Sequence, residues 1–386
     1  MSLGQEMQIN ATPVVVKGVE VYANIAAADQ ITEGMYLCYD TSAGTNKNWY
    51  CVKGTLANIG DFAGIVAPGQ IRTGPGPVEI IPWDGRMYRG ISAYVTENIA
   101  AGDLLGPIPG TYEFGRCVIG RPVFKATAAL DPGATTPNLN LVTGFFGGQI
   151  ATMEEQANKI LRFSDHFIGL TTIAAAVANA VADQTTYLLT GTSSAAAYVD
   201  SLAGPEGTAA AAAASGILKV TTNTTNQANL TMNGEPFRLD ANKNLFFRIR
   251  AAVDVVSASK KMAFGLGITD TTFNAGHSDA LYFLVNAGAV TFGYQKGGAG
   301  EVTVTPSPAI TVAAGDFHEF AFLARNKGGT NAGKEIQVWV DNTAVSLTLT
   351  STEFPDDQSL TFIAEALGDS AVNMSLDRVE IVNYIG

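Results

Sequence analysis

Short runs of β-branched and aromatic residues recur along this chain, and nearly every run ends at a turn that carries glycine or proline. This punctuation, supplied by 41 glycines and 15 prolines, constrains the fold more than any other feature. Strands tolerate such frequent breaks between them, whereas a helix needs about 10–12 uninterrupted residues. Within residues 14–146 the runs include Val14-Val15-Val16, Met35-Tyr36-Leu37-Cys38-Tyr39, Gly64-Ile65-Val66 and Val78-Glu79-Ile80-Ile81. Turn signals such as Ala67-Pro68-Gly69 and Gly74-Pro75-Gly76-Pro77 separate them. Runs this short predict a small, barrel-like β module.

Further along, the runs lengthen. Glu335-Ile336-Gln337-Val338-Trp339-Val340-Asp341 alternates polar and apolar, which places Ile336, Val338 and Val340 on one face. The closing run Leu376-Asp377-Arg378-Val379-Glu380-Ile381-Val382 alternates in the same way. Many long strands in one block favour two packed sheets. The predicted fold class is therefore mainly β, with an arm at 1–13, a barrel-like module over 14–150, a linking helix over 151–163 and a two-sheet sandwich over 164–386.

The helix is predicted from local signals. Thr152 and Glu155 have capping-box spacing, Glu155 and Lys159 sit four apart, and Arg162 falls where the helix dipole favours a cation. Met153, Ala157, Ile160 and Leu161 then share one face. That stripe suits packing around a three-fold axis as well as packing on its own modules.

Charge narrows the function. Lys and Arg number 23 against 35 Asp and Glu, a net charge of −12. Phosphate backbones and anionic membrane surfaces are bound by clustered cations, so neither nucleic acid nor membrane is expected as a partner. No run approaches the ~20 apolar residues of a membrane span, and the N-terminus lacks the basic flank and apolar core of a secretory signal. Cys38, Cys51 and Cys117 lack metal-ribbon spacing and read as buried thiols of a protein made in a reducing cytoplasm.

Few residues promise chemistry. Paired carboxylates on one strand, the signature of glycan hydrolysis on a sandwich, are missing from the second block, and Asp356-Asp357 and Glu365 with Asp369 read as solvated turn or edge groups. His166, His277 and His318 are scattered, with no nucleophile arranged beside them. Asp270, Asn274, His277 and Asp279 form a candidate rim loop for a ligand, but they lack the alternating spacing of a strong calcium site. No catalytic residue, metal or cofactor is expected, and the chain reads as a non-enzyme. Association is what remains. Met7, Ile9, Val14 and Val15 lie in a β-prone N-terminal stretch suited to adding a strand to another sheet edge. Trp83, Arg86 and Tyr88 crowd residue types enriched at protein–protein hot spots.

Two resemblances follow from ordered sets of residues. Phe246-Phe247-Arg248-Ile249-Arg250, Phe264-Gly265-Leu266-Gly267-Ile268, Phe317 to Phe322, Ile336 to Asn342 and Leu376 to Ile381 resemble the strand succession of concanavalin A-like and laminin G-like jelly rolls. Gly64-Ile65-Val66-Ala67, Gly76-Pro77-Val78-Glu79-Ile80, Ala101-Gly102-Asp103-Leu104-Leu105 and Gly120-Arg121-Pro122-Val123 resemble the capsid decoration, or cement, proteins of tailed phages. The second resemblance implies a homotrimer that binds the major capsid protein on the outer surface of the virion and stabilises the shell, with the sandwich projecting outward. The alternative is a carbohydrate-binding adhesin or fibre component that takes a host-surface glycan as partner.

Overall fold

A computed structural model describes residues 18–41, 50–134, 140–147, 150, 153–167, 187–190, 195–199, 217–222, 227–232, 234–253, 257, 260–268, 279–297, 302–329, 333–345, 354–368 and 373–386. The chain is nearly all β, and its one helix among these residues is Met153–Lys159.

The first module holds a closed five-stranded barrel, in the order Val19–Ala23, Tyr50–Val52, Tyr36–Tyr39, Phe62–Val66 and Gly76–Pro82. Antiparallel pairing of Val19–Ala23 with Gly76–Pro82 closes it. All five strands contribute to one apolar cluster that includes Val21, Cys51, Leu37, Val66 and Val78, which fills the barrel. Residues that alternate with these, among them Tyr36, Cys38, Phe62 and Ile65, point the other way. They pack on a five-stranded sheet ordered Phe114–Arg116, Leu104–Pro107, Phe124–Ala126, Leu141–Gly147 and Met87–Tyr94. Strand alternation thus puts Cys38 and Cys51 in different cores, each thiol's pKa pushed up to about 12 by burial.

The second module is a sandwich of two eight-stranded sheets. One sheet runs Ala195–Val199, Ile217–Thr221, Asn373–Tyr384, Lys243–Val253, Phe317–Asn326, Lys334–Val340 and Thr343–Val345, with Ile160–Asp165 also paired to Asn373–Tyr384. The other runs Tyr187–Thr190, Gln227–Met232, Ser359–Leu367, Lys261–Gly267, Ala280–Asn286, Ala289–Gln295 and Val302–Val304, with Phe237–Arg238 beside Ser359–Leu367. Their facing residues, including Phe247, Phe322, Phe264, Phe283, Phe292 and Phe362, form a single core.

The first of these sheets also buries its opposite face. Phe246, Ala321, Leu323, Trp339, Val382 and Tyr384 point away from the sandwich core and pack on Leu56, Leu104, Ile108 and Val118 of the first module. The two modules therefore share a core of their own.

The linking helix is shorter than its sequence signals predict. It ends at Lys159, and Ile160–Asp165 is a strand paired antiparallel to the end of the chain, Ile160 opposite Tyr384. Tertiary pairing overrides helical spacing here: Ile160, Leu161 and Phe163 gain a ladder and two cores that a helix would leave half-used. The apolar stripe is not a stripe. Ile160 packs on the inter-module cluster, Leu161 on the sandwich core, and Ala157 is exposed.

Candidate functional site

The chain leaves the barrel and enters the neighbouring sheet through a turn at Trp83-Asp84-Gly85-Arg86, with Gly85 at φ 82°. Asp84 organises this turn by accepting hydrogen bonds from the Arg86 backbone N–H (3.1 Å) and the Tyr88 hydroxyl (2.9 Å). Burial, and then this carboxylate, raise the pKa of the Tyr88 phenol. Next to the turn, Gly147 runs at φ 139° with the Arg86 carbonyl oxygen 1.8 Å from where a Cβ would sit, so only glycine lets the two strands close here.

The aromatic rings behind the turn are fixed. Trp83 meets Phe62 edge-on at 5.7 Å and Phe146 at 5.6 Å, and Tyr88 stacks on Phe146 at 6.1 Å. Guanidinium groups lie over the rings: Arg121 over Trp83 and Arg89 over Phe145, each 5.5 Å from the centroid. Neither arginine meets a carboxylate among the described residues, and Arg86 has only Asp84, at 3.5 Å. Met87 is 54% exposed between them. A cavity of about 120 Å³, lined by Ile59, Phe62, Trp83, Ile119, Arg121 and Val123, opens beside the indole. Trp83, Arg86, Met87, Tyr88 and Arg89, neighbours in sequence, lie about this one turn, and the fold brings Arg121 and Phe145 beside them. Pre-organised aromatics, exposed cations and a small apolar socket make a surface suited to an acidic partner bearing an apolar anchor.

A second arginine-rich region joins the modules. Arg325, fully buried on the Phe317–Asn326 strand, pairs with Glu97 (3.3 Å), Glu113 and Glu335 (3.1 Å). Arg116 pairs with Asp103 (3.0 Å) and lies 3.8 Å from Glu97, and Asn244 donates to Glu97 at 3.2 Å and to the Arg116 carbonyl at 3.1 Å. The Tyr384 hydroxyl donates to Asp103 (3.1 Å) and accepts from the Leu104 N–H. Burial opposes the charge on Arg325, but Glu113, Glu97 and Glu335 together outweigh it and raise its pKa. For Glu335 burial is likewise the largest influence, and Arg325 with Lys327 reverses it, leaving the pKa below the usual carboxylate value. Glu97, Asp103, Glu113 and Arg116 come from the first module; Arg325, Glu335, Asn244 and Tyr384 from the sandwich. A backbone bond from the Asn98 N–H to the Lys327 carbonyl (2.9 Å) crosses the same seam. Sequence reading missed this network because its bonded members lie up to 281 positions apart (Asp103 to Tyr384). The available signal was Arg325 itself, a charge that directly follows the apolar run Phe320 to Ala324.

Other expected site residues scatter. Met7, Ile9, Val14, Val15, Asp270, Asn274 and His277 lie outside the described residues. Asp279 is buried, its Oδ1 accepting from the Gly297 N–H at 3.1 Å. Met153 opens the helix, and Ile160 and Leu161 face opposite sides of a strand. Asp356 binds Lys334 (2.6 Å) and Lys296, and Asp357 lies 3.7 Å from Lys296. Glu365 is not a solvated edge group. It is 4% exposed on Ser359–Leu367, facing away from the sandwich core, with Oε1 unpartnered and its pKa raised to about 8 by burial. Among the described residues no three His, Cys, Asp or Glu side chains are grouped to hold a metal ion, and no helix is long and apolar enough to cross a membrane.

No family model matches the chain, and no curated protein matches it. Solved structures similar to it include an endo-1,3-beta-glucanase from Streptomyces sioyaensis (TM-score 0.40, 12% identity, 59% of this chain and 98% of that one). A protein of unknown function from Shewanella oneidensis MR-1 gives 0.38 and 13%, over 61% and 95% of the two chains. A carbohydrate esterase of the Shiga toxin-encoding bacteriophage phi24B gives 0.33 and 16%, over 51% and 90%. None of these likenesses is close enough to bear on what the chain does.

Proposed function

We propose that this chain is a structural virion protein that docks on the outside of a phage capsid through the Trp83 edge of its first module, stabilising the shell and carrying the sandwich outward. The observation that carries this reading is the exposed aromatic–arginine edge on a chain whose net charge is −12. Exposed arginines that meet no carboxylate among the described residues oppose the overall charge and favour an acidic surface, while Trp83 and its socket supply apolar anchoring. The seam complements this role, because a docked module transmits load to the sandwich only if the two move together. Assembly as a trimer on the major capsid protein agrees with the resemblance of residues 14–146 to decoration proteins, and repeated weak attachments then add through multivalency.

The test is co-sedimentation of the purified chain with emptied phage heads, with light scattering for its oligomeric state. The expected result is saturable binding at a fixed ratio to the shell protein. Binding should weaken as salt rises and be lost in the double variant Arg89→Glu, Arg121→Glu, both positions being exposed. Binding indifferent to that double variant would refute the docking edge, and absence of binding to heads would refute the function.

A further inference from the structure

The strand that follows the Trp83 turn offers its backbone as well as its side chains. Met87–Tyr94 ends its sheet, paired with Leu141–Gly147 on one side only. Backbone groups of successive residues point to opposite sides of a strand. The Val95 N–H donates to the Asn140 carbonyl on the paired side, and the Tyr94 N–H donates to the Gly34 carbonyl on the other. By that alternation Ser92 faces away from the sheet. A bulge at Gly90, where φ is 70°, then resets the count. The Gly147 N–H donates to the Val123 carbonyl on the far side of its strand, so Phe146 turns back to its partner Tyr88, and Met87 and Arg89 face away. No hydrogen bond occupies that outer side of Met87, Arg89 or Ser92 among the described residues. Gly34 closes the edge at Tyr94, while Met87, Arg89 and Gly90 are exposed, with open space where a Gly90 side chain would be.

Side chains on the two faces of this edge select the partner. Tyr88 stacks on Phe146 on one face, and Arg89 lies over Phe145 on the other, which Met87 shares by alternation. A strand laid along the edge alternates in the same way, so half of its side chains fall beside Tyr88 and half beside Met87 and Arg89. Apolar residues suit the first set. Acidic residues suit the second, because Arg89 meets no carboxylate among the described residues and Arg86, its side chain 80% exposed, stands at the start of the edge. A second copy of this chain suits the edge poorly: two such strands side by side bring arginine against arginine, and like charges across a strand pair are destabilising. We propose that residues 87–92 accept an added β-strand from a partner protein segment that alternates acidic and apolar residues. The proposal rests on the reading that this edge is where the chain attaches, and it supplies the form of the partner and the mode of attachment.

The experiment is calorimetry and amide hydrogen exchange on the full chain with a capped synthetic peptide of alternating glutamate and valine. Binding should be saturable and should slow exchange at Met87, Arg89 and Ser92. The same peptide with every amide N-methylated keeps its charge but offers no N–H to a ladder, and should bind at least about tenfold more weakly. A peptide of equal composition with its glutamates and valines in separate blocks should also bind more weakly. Arg89→Glu, at an exposed position, should cut affinity for the alternating peptide at least about tenfold. No saturable binding, equal binding of the N-methylated or block peptide, protection that leaves residues 87–92 unchanged, or affinity indifferent to Arg89→Glu would overturn the proposal. Attachment to heads that needs Arg89 and Arg121 while the peptide fails to bind would overturn strand addition and leave the docking edge standing. Peptide binding with these properties, without attachment to heads, would support strand addition and refute the capsid role.

Discussion

The seam between the modules and the edge around Trp83 are built from the same residue types and left in opposite electrostatic states. At the seam Arg325 and Arg116 are buried, and Glu97, Glu113, Glu335 and Asp103 face them. At the edge Arg89 and Arg121 rest on aromatic rings, with no carboxylate against them among the described residues. Burying an ion costs several kcal/mol, and only a close, well-bonded partner offsets that cost. The buried arginines are therefore matched, and their matching fixes register: several charges must meet several partners at once, which one relative placement of the modules achieves. The exposed arginines carry no such cost and can wait for a partner. Matched charge joins the modules, and the exposed arginines mark the edge proposed for attachment.

The largest expected effect breaks the first half of that comparison. Arg325→Met leaves Glu97 and Glu113 buried without their shared cation, and should cost about 3–5 kcal/mol in chemical denaturation. It should also separate the unfolding of the two modules, where the unaltered chain unfolds as one. A loss under about 1 kcal/mol would show that the seam is not what joins them.

Glu365 sharpens the comparison, because it is a buried carboxyl with no cation paired to it among the described residues. Its folded pKa of about 8 lies above that of the unfolded chain, so the folded state binds the extra proton. Stability from this group is fully present below the unfolded value of about 4.3 and falls as pH rises toward 8. Glu365→Gln should abolish that decline and stabilise the protein at pH 8 by on the order of 2–4 kcal/mol, as read by melting temperature across pH. An unchanged pH profile would mean that Glu365 is ionised and paired.

Trp83→Ala tests the second half. Loss of the ring supporting Arg121 and lining the socket should weaken attachment to heads by about 2 kcal/mol, roughly thirty-fold. Smallest of all should be Arg250→Ala. Its pair with Asp377 is exposed, and such pairs contribute about 0–1 kcal/mol, so both stability and attachment should stay near their original values.

Much of this architecture was legible in the sequence because it is local. Alternation in Glu335-Ile336-Gln337-Val338-Trp339-Val340 predicts which side faces the sandwich core, and glycine-bearing turns predict the short strands of the barrel. The crowding of Trp83, Arg86 and Tyr88 was visible for the same reason. What failed was non-local. Residues 160–163 satisfy helical spacing, yet pairing with a strand more than two hundred positions away decides their conformation. Arg121 reaches the Trp83 edge only through the fold. Glu365 reads as an edge group until the strands on both sides of it, Gln227–Met232 and Lys261–Gly267, are in place.

Electron cryo-microscopy of emptied phage heads saturated with this chain tests the central claim most directly. The account predicts density for the first module against the shell, with the Trp83–Arg121 edge at the contact and the sandwich held outward in one fixed orientation. Density in which the sandwich touches the shell, or in which it takes many orientations about the first module, would contradict it.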